Sequence, residues 1–226
     1  MKYVIIGAGP AGVVAAETLR KKDPSSEITM ISAEGPSPHS RMAIPYVLTG
    51  KIEEAGTYLR KADGHYDENG ITIVADRAST VDAKTKKVML ESGGTLDYDK
   101  LLVATGASPI KPPVPGLDRP GIYHCWTLED CRNIVQRAAP GSDVTLMGAG
   151  FIGCIILESL LERGVNLTVI EAEDRMVPRM MNQTAGNMIK TWCQSKGVNV
   201  MTSTRATSVD EVGGKLSVSV DKGDAV

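Results

Sequence analysis

The chain has 226 residues, with 25 Lys and Arg interspersed among 27 Asp and Glu for a formal net charge of -2. That balance leaves no basic patch for nucleic acid, no apolar run reaches the length of a membrane span, and the length suits one large or two modest domains, each able to bury a core. Cys125, Cys131, Cys154 and Cys193 show no Cys-x-x-Cys spacing and His39, His65 and His124 no His-x-x-x-His pair, so no metal site is expected and the thiols read as reduced, cytoplasmic residues.

The first predicted element is a β-branched strand, Lys2 to Ile6, which runs into Gly7-Ala8-Gly9-Pro10-Ala11-Gly12 and then a helix over Pro10 to Lys22 with Val13, Val14 and Leu19 at helical spacing. In such a strand–turn–helix unit the first glycine permits the tight turn. The second lets a pyrophosphate approach the backbone, and the third lets helix and strand pack closely. Free amide groups at the helix start then face the phosphates. Pro10 suits that start, because an N–H there has no helical partner in any case. Asp23-Pro24 ends the helix. A second strand, Glu27 to Ile31, leads to Glu34, about twenty residues past the third glycine, where a ribose-binding carboxylate belongs. The apolar start from Tyr3 to Val14 is thereby explained without a signal peptide.

A proline-rich loop follows from Gly35 to Pro45, then a helix from about Tyr46 and a strand at Ile71 to Val74. Alternation over Arg77 to Leu90 and the pair Thr95 to Tyr98 and Lys100 to Ala104 predict a small antiparallel meander followed by a return strand. Ser108 to Pro120 holds five prolines and reads as a linker, dividing the chain into domains over residues 1–110 and 111–226.

A helix over Asp130 to Ala138 then feeds a second copy of the first unit. Asp143 to Met147 is its strand, Gly148-Ala149-Gly150-Phe151-Ile152-Gly153 its turn and Phe151 to Arg163 its helix, which Gly164 stops; Val165 to Ile170 is the next strand and Glu171 the acid. A single Gly-x-Gly-x-x-Gly is a weak signal, and such turns also occur where no nucleotide binds; two copies, each with strand, helix and acid in place, imply two dinucleotides. A carboxylate at Glu171 accepts from adenosine ribose hydroxyls and repels a 2′-phosphate, which favours NADH over NADPH, a preference that Arg175 nearby would temper. Val198 to Met201 reads as a further strand and Ala206 to Val220 as meander-like strands. The fold class expected is α/β: two Rossmann-like, three-layer (β/β/α) dinucleotide-binding domains with parallel sheets and small antiparallel meanders.

With these pieces in order, the chain resembles the flavin-dependent pyridine nucleotide-disulfide oxidoreductase superfamily, which includes NADH oxidases, coenzyme A-disulfide reductases, rubredoxin reductases and the flavin halves of nitrite reductases. The residues that carry the resemblance are the first glycine turn with Glu34, the run Tyr98-Asp99-Lys100-Leu101-Leu102-Val103-Ala104-Thr105-Gly106-Ala107, then Pro113-Val114-Pro115-Gly116, and the second glycine turn with Glu171. The resemblance implies FAD at the first site and NAD(H) at the second. It places Arg41 and Ala78 among the cofactor-binding residues and brings Ala104-Thr105-Gly106 close to the FAD, where small residues let the backbone approach. Met42 and Tyr46 would neighbour the flavin ring or simply pack.

The sequence departs from that family in three ways. Arg41-Met42-Ala43-Ile44-Pro45-Tyr46 looks like the family's Cys-Gly-Leu-Pro-Tyr motif with Met42 at the cysteine position, and a thioether cannot form a thiolate, sulfenate or mixed disulfide. Related reductases without the cysteine carry a Lys there paired with a Glu after the third glycine; here Pro45-Tyr46 and Ile155 stand at those places, so both partners are missing together. The family also continues with a second Ala-Thr-Gly-like segment, a Gly-Asp motif and an interface domain, so the chain is expected to be part of a longer reductase and to hold FAD loosely by itself.

The function so implied is hydride transfer from NADH to FAD and onward electron delivery to an acceptor, without a redox disulfide. The acceptor is a small redox protein, a fused reductase module or a small molecule. No acid, base or nucleophile is named. Open sheet edges at Lys100 to Ala104 or Asp143 to Met147 leave room for a homo-oligomer. A non-catalytic nucleotide-binding sensor and an inactive remnant remain as alternatives.

Overall fold

The computed structural model describes residues 1–222 and 226, which form two compact units. The first comprises Met1–Ala43 with Ile52–Ser108, and the second Ile44–Lys51 with Pro109–Val226.

In the first unit, β1 (Lys2–Ile6), β2 (Glu27–Ile31), β3 (Ile71–Val74) and β7 (Lys100–Val103) form a parallel sheet in the order β3-β2-β1-β7. The two-residue period of a strand sends alternate side chains of β1 to opposite faces. Ile5 packs with Ile28, Met30 and Ile71 against Val13 and Ala16 of α1 (Pro10–Lys22). Val4 and Ile6 pack with Ile31 against Val88 and Leu90 of an antiparallel meander, β4 (Ala78–Asp82), β5 (Lys87–Leu90) and β6 (Thr95–Asp97). Helix, parallel sheet and meander thus make three layers. Arg20 of α1 ties its helix to the sheet by donating to the carbonyls of Ser26, Asn69 and Gly70. A short helix, α3 (His65–Glu68), precedes β3 and is not apparent from the sequence pattern.

The second unit repeats the plan with fewer strands: β8 (Asp143–Met147), β9 (Asn166–Ile170) and β10 (Asn199–Met201) pair in parallel in the order β10-β9-β8. Leu167 and Val169 face a layer built from α2 (Ile44–Leu48), α4 (Leu128–Arg137), α5 (Phe151–Glu162) and α6 (Gln183–Ser195). Ile170 packs on the other side with Leu117, Val209 and Val218. The last two belong to a hairpin, β11 (Ala206–Val212) and β12 (Lys215–Val220), and its turn is Gly213-Gly214 with φ of +60° and +77°, the left-handed pair a two-residue hairpin needs. The α4 helix starts earlier than its apolar pattern suggests because Thr127 and Asp130 form a reciprocal capping box. Residues 44–51 come between elements of the first unit in sequence, yet Ile44 and Leu48 are buried in the helical layer of the second and Arg163 donates to the Leu48 carbonyl. Among the described residues no helix is long and apolar enough to cross a membrane, and no cluster of His, Cys, Asp or Glu could hold a metal ion.

Candidate functional site

Both glycine turns lie at the carboxyl end of their parallel sheets, where open α/β sheets bind ligands. The Gly7 amide donates to the Ile31 carbonyl and the Gly148 amide to the Ile170 carbonyl, so each turn is tied to the end of the neighbouring strand. Gly7 and Gly148 have φ of +113° and +96°, a region that glycine alone enters freely. A Cβ on Gly12 would lie 2.0 Å from the Gly7 carbonyl oxygen, and one on Gly153 2.2 Å from that of Gly148. The third glycine of each motif is therefore required by helix–turn packing. Around the second, Gly9 and Gly150, a Cβ would meet nothing within 4 Å, leaving the space that a phosphate approaching the backbone would use.

Among the helices of ten or more residues, capping marks the same two places: α4 and α6 each have a first-turn amide satisfied by a side chain, Thr127 and Asn182, whereas α1 and α5 begin at Gly9 and Gly150 with no side-chain cap. Uncapped N–H groups at a helix start, with the positive end of the helix dipole behind them, suit an anion. Pro10 and Ala11 are exposed at the start of α1, as are Phe151 and Ile152 at the start of α5.

In the first unit the structure brings Ala104 and Thr105 to the turn: a Cβ on Gly7 would fall 2.3 Å from the Ala104 carbonyl oxygen and 3.2 Å from the Thr105 amide nitrogen. Gly106 continues with φ of +70°. Glu34, three residues beyond β2, pairs with Arg41 through a short hydrogen bond and with His39, whose Nε2 lies 3.3 Å from Oε2. Burial pushes the Glu34 carboxyl up, but the hydrogen bonds and charges of His39 and Arg41 outweigh it and hold it below its ordinary range. Ala78 opens β4 and is half-buried, packed against the core between sheet and meander. Met42 lies in a 3-10 turn (Arg41–Ala43) of this unit and is 72% exposed, while Tyr46 is an exposed residue of α2 in the second.

Glu171 has a different setting. It is 7% exposed; Oε2 accepts from the Ala149 amide at 2.7 Å and Oε1 from the Glu173 amide at 2.9 Å. Ala149, the middle residue of the first Gly-x-Gly step, is itself fully buried, and its carbonyl accepts from Val177. The carboxylate therefore braces the glycine turn, with lone pairs left over for ribose hydroxyls. Sequence spacing assigns Glu171 only the ribose contact; the bracing contact depends on how β9 and the turn pack. Arg175, which the sequence reading offers to a 2′-phosphate, is engaged otherwise. Its guanidinium donates to Asp174 and to the carbonyls of Pro178 and Met181, and so secures the loop before α6. His39, one of three scattered histidines in the sequence, is brought against Glu34 by the fold; its one sequence signal is its position between Glu34 and Arg41.

None of the cysteines forms a disulfide. Burial pushes the Cys125 thiol up to about 12 and the Cys154 thiol up to about 11, so neither is a nucleophile at neutral pH.

The family described as pyridine nucleotide-disulphide oxidoreductase matches residues 1–226. The chain is 32% identical over 211 residues to an NADH oxidase of Methanocaldococcus jannaschii, an alignment covering 90% of this chain and 47% of the relative. It is 30% identical over 211 residues to a rubredoxin-NAD(+) reductase of Ectopseudomonas oleovorans, covering 92% and 54%. Among solved structures, the NAD-dependent persulfide reductase from A. fulgidus superposes with a TM-score of 0.91 at 29% identity, over 100% of this chain and 44% of that one. The chain thus spans about half the length of the curated relatives it matches.

Proposed function

The chain belongs to the pyridine nucleotide-disulphide oxidoreductase family, and on that premise we propose that its first unit binds FAD, its second binds NAD(P)H with a preference for NADH, and its role is that of an FAD-dependent NADH oxidoreductase without a redox disulfide. The observation that carries this reading is the pairing, twice over, of an uncapped helix start with a glycine turn whose second glycine has open space around it. When bound, FAD would supply the chemistry, taking a hydride from NADH and releasing electrons to an acceptor.

The chain's own residues bind and orient. First-turn amides of α1 and α5 would hold the two pyrophosphates. Glu34 would accept from the FAD ribose, and the Ala104-Thr105-Gly106 backbone would line the flavin side of the first turn. Domain limits near residues 1–110 and 111–226 serve for this assignment, with residues 44–51 counted to the second unit by packing. Glu171 would accept from the NADH ribose. Its position is fixed by two backbone amides, so it cannot swing away from a 2′-phosphate, and Arg175 is not free to neutralise one. Met42 supplies no thiol, so the acceptor lies outside the chain; the likeness to a rubredoxin-NAD(+) reductase favours a small redox protein over a fused module or a small molecule.

The test is spectroscopic. Purified protein supplemented with FAD should show bound-flavin absorption that NADH bleaches faster than NADPH. Reduction should consume two electrons per flavin, without a thiolate charge-transfer band. Equal rates with the two nucleotides would remove the argument from Glu171, and a second two-electron centre that from Met42.

A further inference from the structure

We propose that His39 is a positioning residue for the first site: held as an imidazolium between two acceptors, it orients the Glu34 carboxylate toward the ribose and makes FAD affinity fall as pH rises. The inference rests on the reading of the first unit as an FAD site and adds a residue and a pH dependence to it.

The geometry leaves the ring little choice. His39 is 8% exposed, its Nδ1 lies 3.2 Å from the Ser37 carbonyl oxygen and its Nε2 3.3 Å from Glu34 Oε2. Both neighbours are acceptors. A neutral imidazole has one N–H and one bare lone pair, so it can satisfy only one of them and must point its lone pair at the other. Only the doubly protonated ring donates to both. The strand-like stretch around it holds the ring in place: His39 forms a bridge with Tyr58, Leu59 donates to the Pro38 carbonyl and Ser40 to that of Thr57. The charged groups facing the imidazole are Glu34 and, on the far side of that carboxylate, Arg41. The Glu34 hydrogen bond holds the His39 proton above the ordinary histidine range, against an opposing effect of burial and of Arg41.

Two cations thus grip the two oxygens of one carboxylate, His39 at Oε2 and Arg41 at Oε1, and fix its plane. When His39 loses its proton, one N–H remains: the ring gives up its bond either to Ser37 or to Oε2, and in both cases the charge that strengthened the grip on Oε2 is gone. The carboxylate is then gripped by one cation instead of two, and binding weakens.

Two measurements on the whole chain test this. Imidazole NMR should show His39 titrating above the ordinary 6.5 and shifting downward in Glu34→Gln. Titration of FAD followed by flavin fluorescence, between pH 6 and 9, should show affinity falling about tenfold, the scale of one charge-assisted hydrogen bond partly exposed to solvent. His39→Gln keeps a donor at the same reach but carries no charge and cannot titrate, so it should bind FAD about as the native protein does at pH 9 and show no such fall. His39→Leu should bind weakly at every pH. A flat profile in the native protein, a fall of the same size in His39→Gln, or His39 titration unaffected by Glu34→Gln overturns the inference while leaving the FAD reading intact. Failure to bind FAD at any pH overturns both.

Discussion

Gly7 and Gly148 occupy the same place in two copies of one motif, yet they are held by different neighbours. Beside Gly7 runs β7, whose continuation Ala104 would collide with any side chain there. Beside Gly148 no strand runs among the described residues; β8 is the edge of its sheet, and a Cβ on Gly148 would meet nothing within 4 Å. The second turn is held instead by a buried carboxylate, Glu171, on the Ala149 amide. Its counterpart Glu34 takes no part in bracing the first turn and is paired with the side chains His39 and Arg41. The motif therefore dictates the backbone path of the turn, while the means of securing it depends on what packs alongside.

This difference predicts unequal costs for equal substitutions. Gly7→Ala combines backbone strain with a collision against main chain and should destabilise the first unit by more than about 3 kcal/mol. Gly148→Ala meets only the strain of its left-handed φ and should cost about 1–3 kcal/mol. The two tryptophans, Trp126 and Trp192, both belong to the second unit. Tryptophan fluorescence in urea should therefore report the Gly148→Ala loss, and circular dichroism the Gly7→Ala loss. Equal losses would mean that β7 is not what secures the first turn.

The acids should reverse that ranking. Glu171→Ala leaves the buried Ala149 amide without its acceptor, a penalty of about 1–3 kcal/mol by the same fluorescence unfolding measurement. It should also narrow the gap between NADH and NADPH. Glu34→Ala removes a partly exposed contact to Arg41, and the buried His39 can shed its proton rather than stay charged without its carboxylate, so the cost at neutral pH should be about 1 kcal/mol or less.

Gly9→Ala and Gly150→Ala separate binding from folding. Neither residue has positive φ and neither would meet a neighbour, so stability should stay within about 1 kcal/mol of the native protein. Nucleotide affinity should fall by about tenfold or more, because the added methyl enters the space beside the uncapped helix start. Calorimetric titration with FAD for Gly9→Ala and NADH for Gly150→Ala checks this, and unchanged affinity would remove the phosphate from that space.

The smallest effect expected is on the pH dependence of stability. His39 is raised in the folded chain, so its contribution is complete below its ordinary 6.5 and is lost as pH climbs through the raised value. Glu34 is lowered, so its contribution is complete above its ordinary 4.5 and is lost as pH falls through the lowered value. The pair should stabilise the first unit most between about 4.5 and 6.5. Thermal unfolding by circular dichroism in His39→Gln should lose this optimum.

Taken alone, the amino-acid sequence determined the features that depend on near neighbours in the chain. Residues 2–34 and 143–171 declare strand, turn, helix, strand and acid through the two-residue and 3.6-residue periods and through the spacing of the glycines in each turn. The meander strands and the Ala104-Thr105-Gly106 exit were legible for the same reason. Four things required the tertiary structure: Ile44–Lys51 joining the second unit, Glu171 bracing the turn 22 residues before it, Arg175 turning to the carbonyls of Pro178 and Met181, and His39 closing on Glu34. Each depends on which surface a short irregular segment finds to pack on and which unpaired donor lies within reach of a carboxylate. Local propensity carries no record of either, because both are decided by burial and hydrogen-bond satisfaction after the sheets have formed.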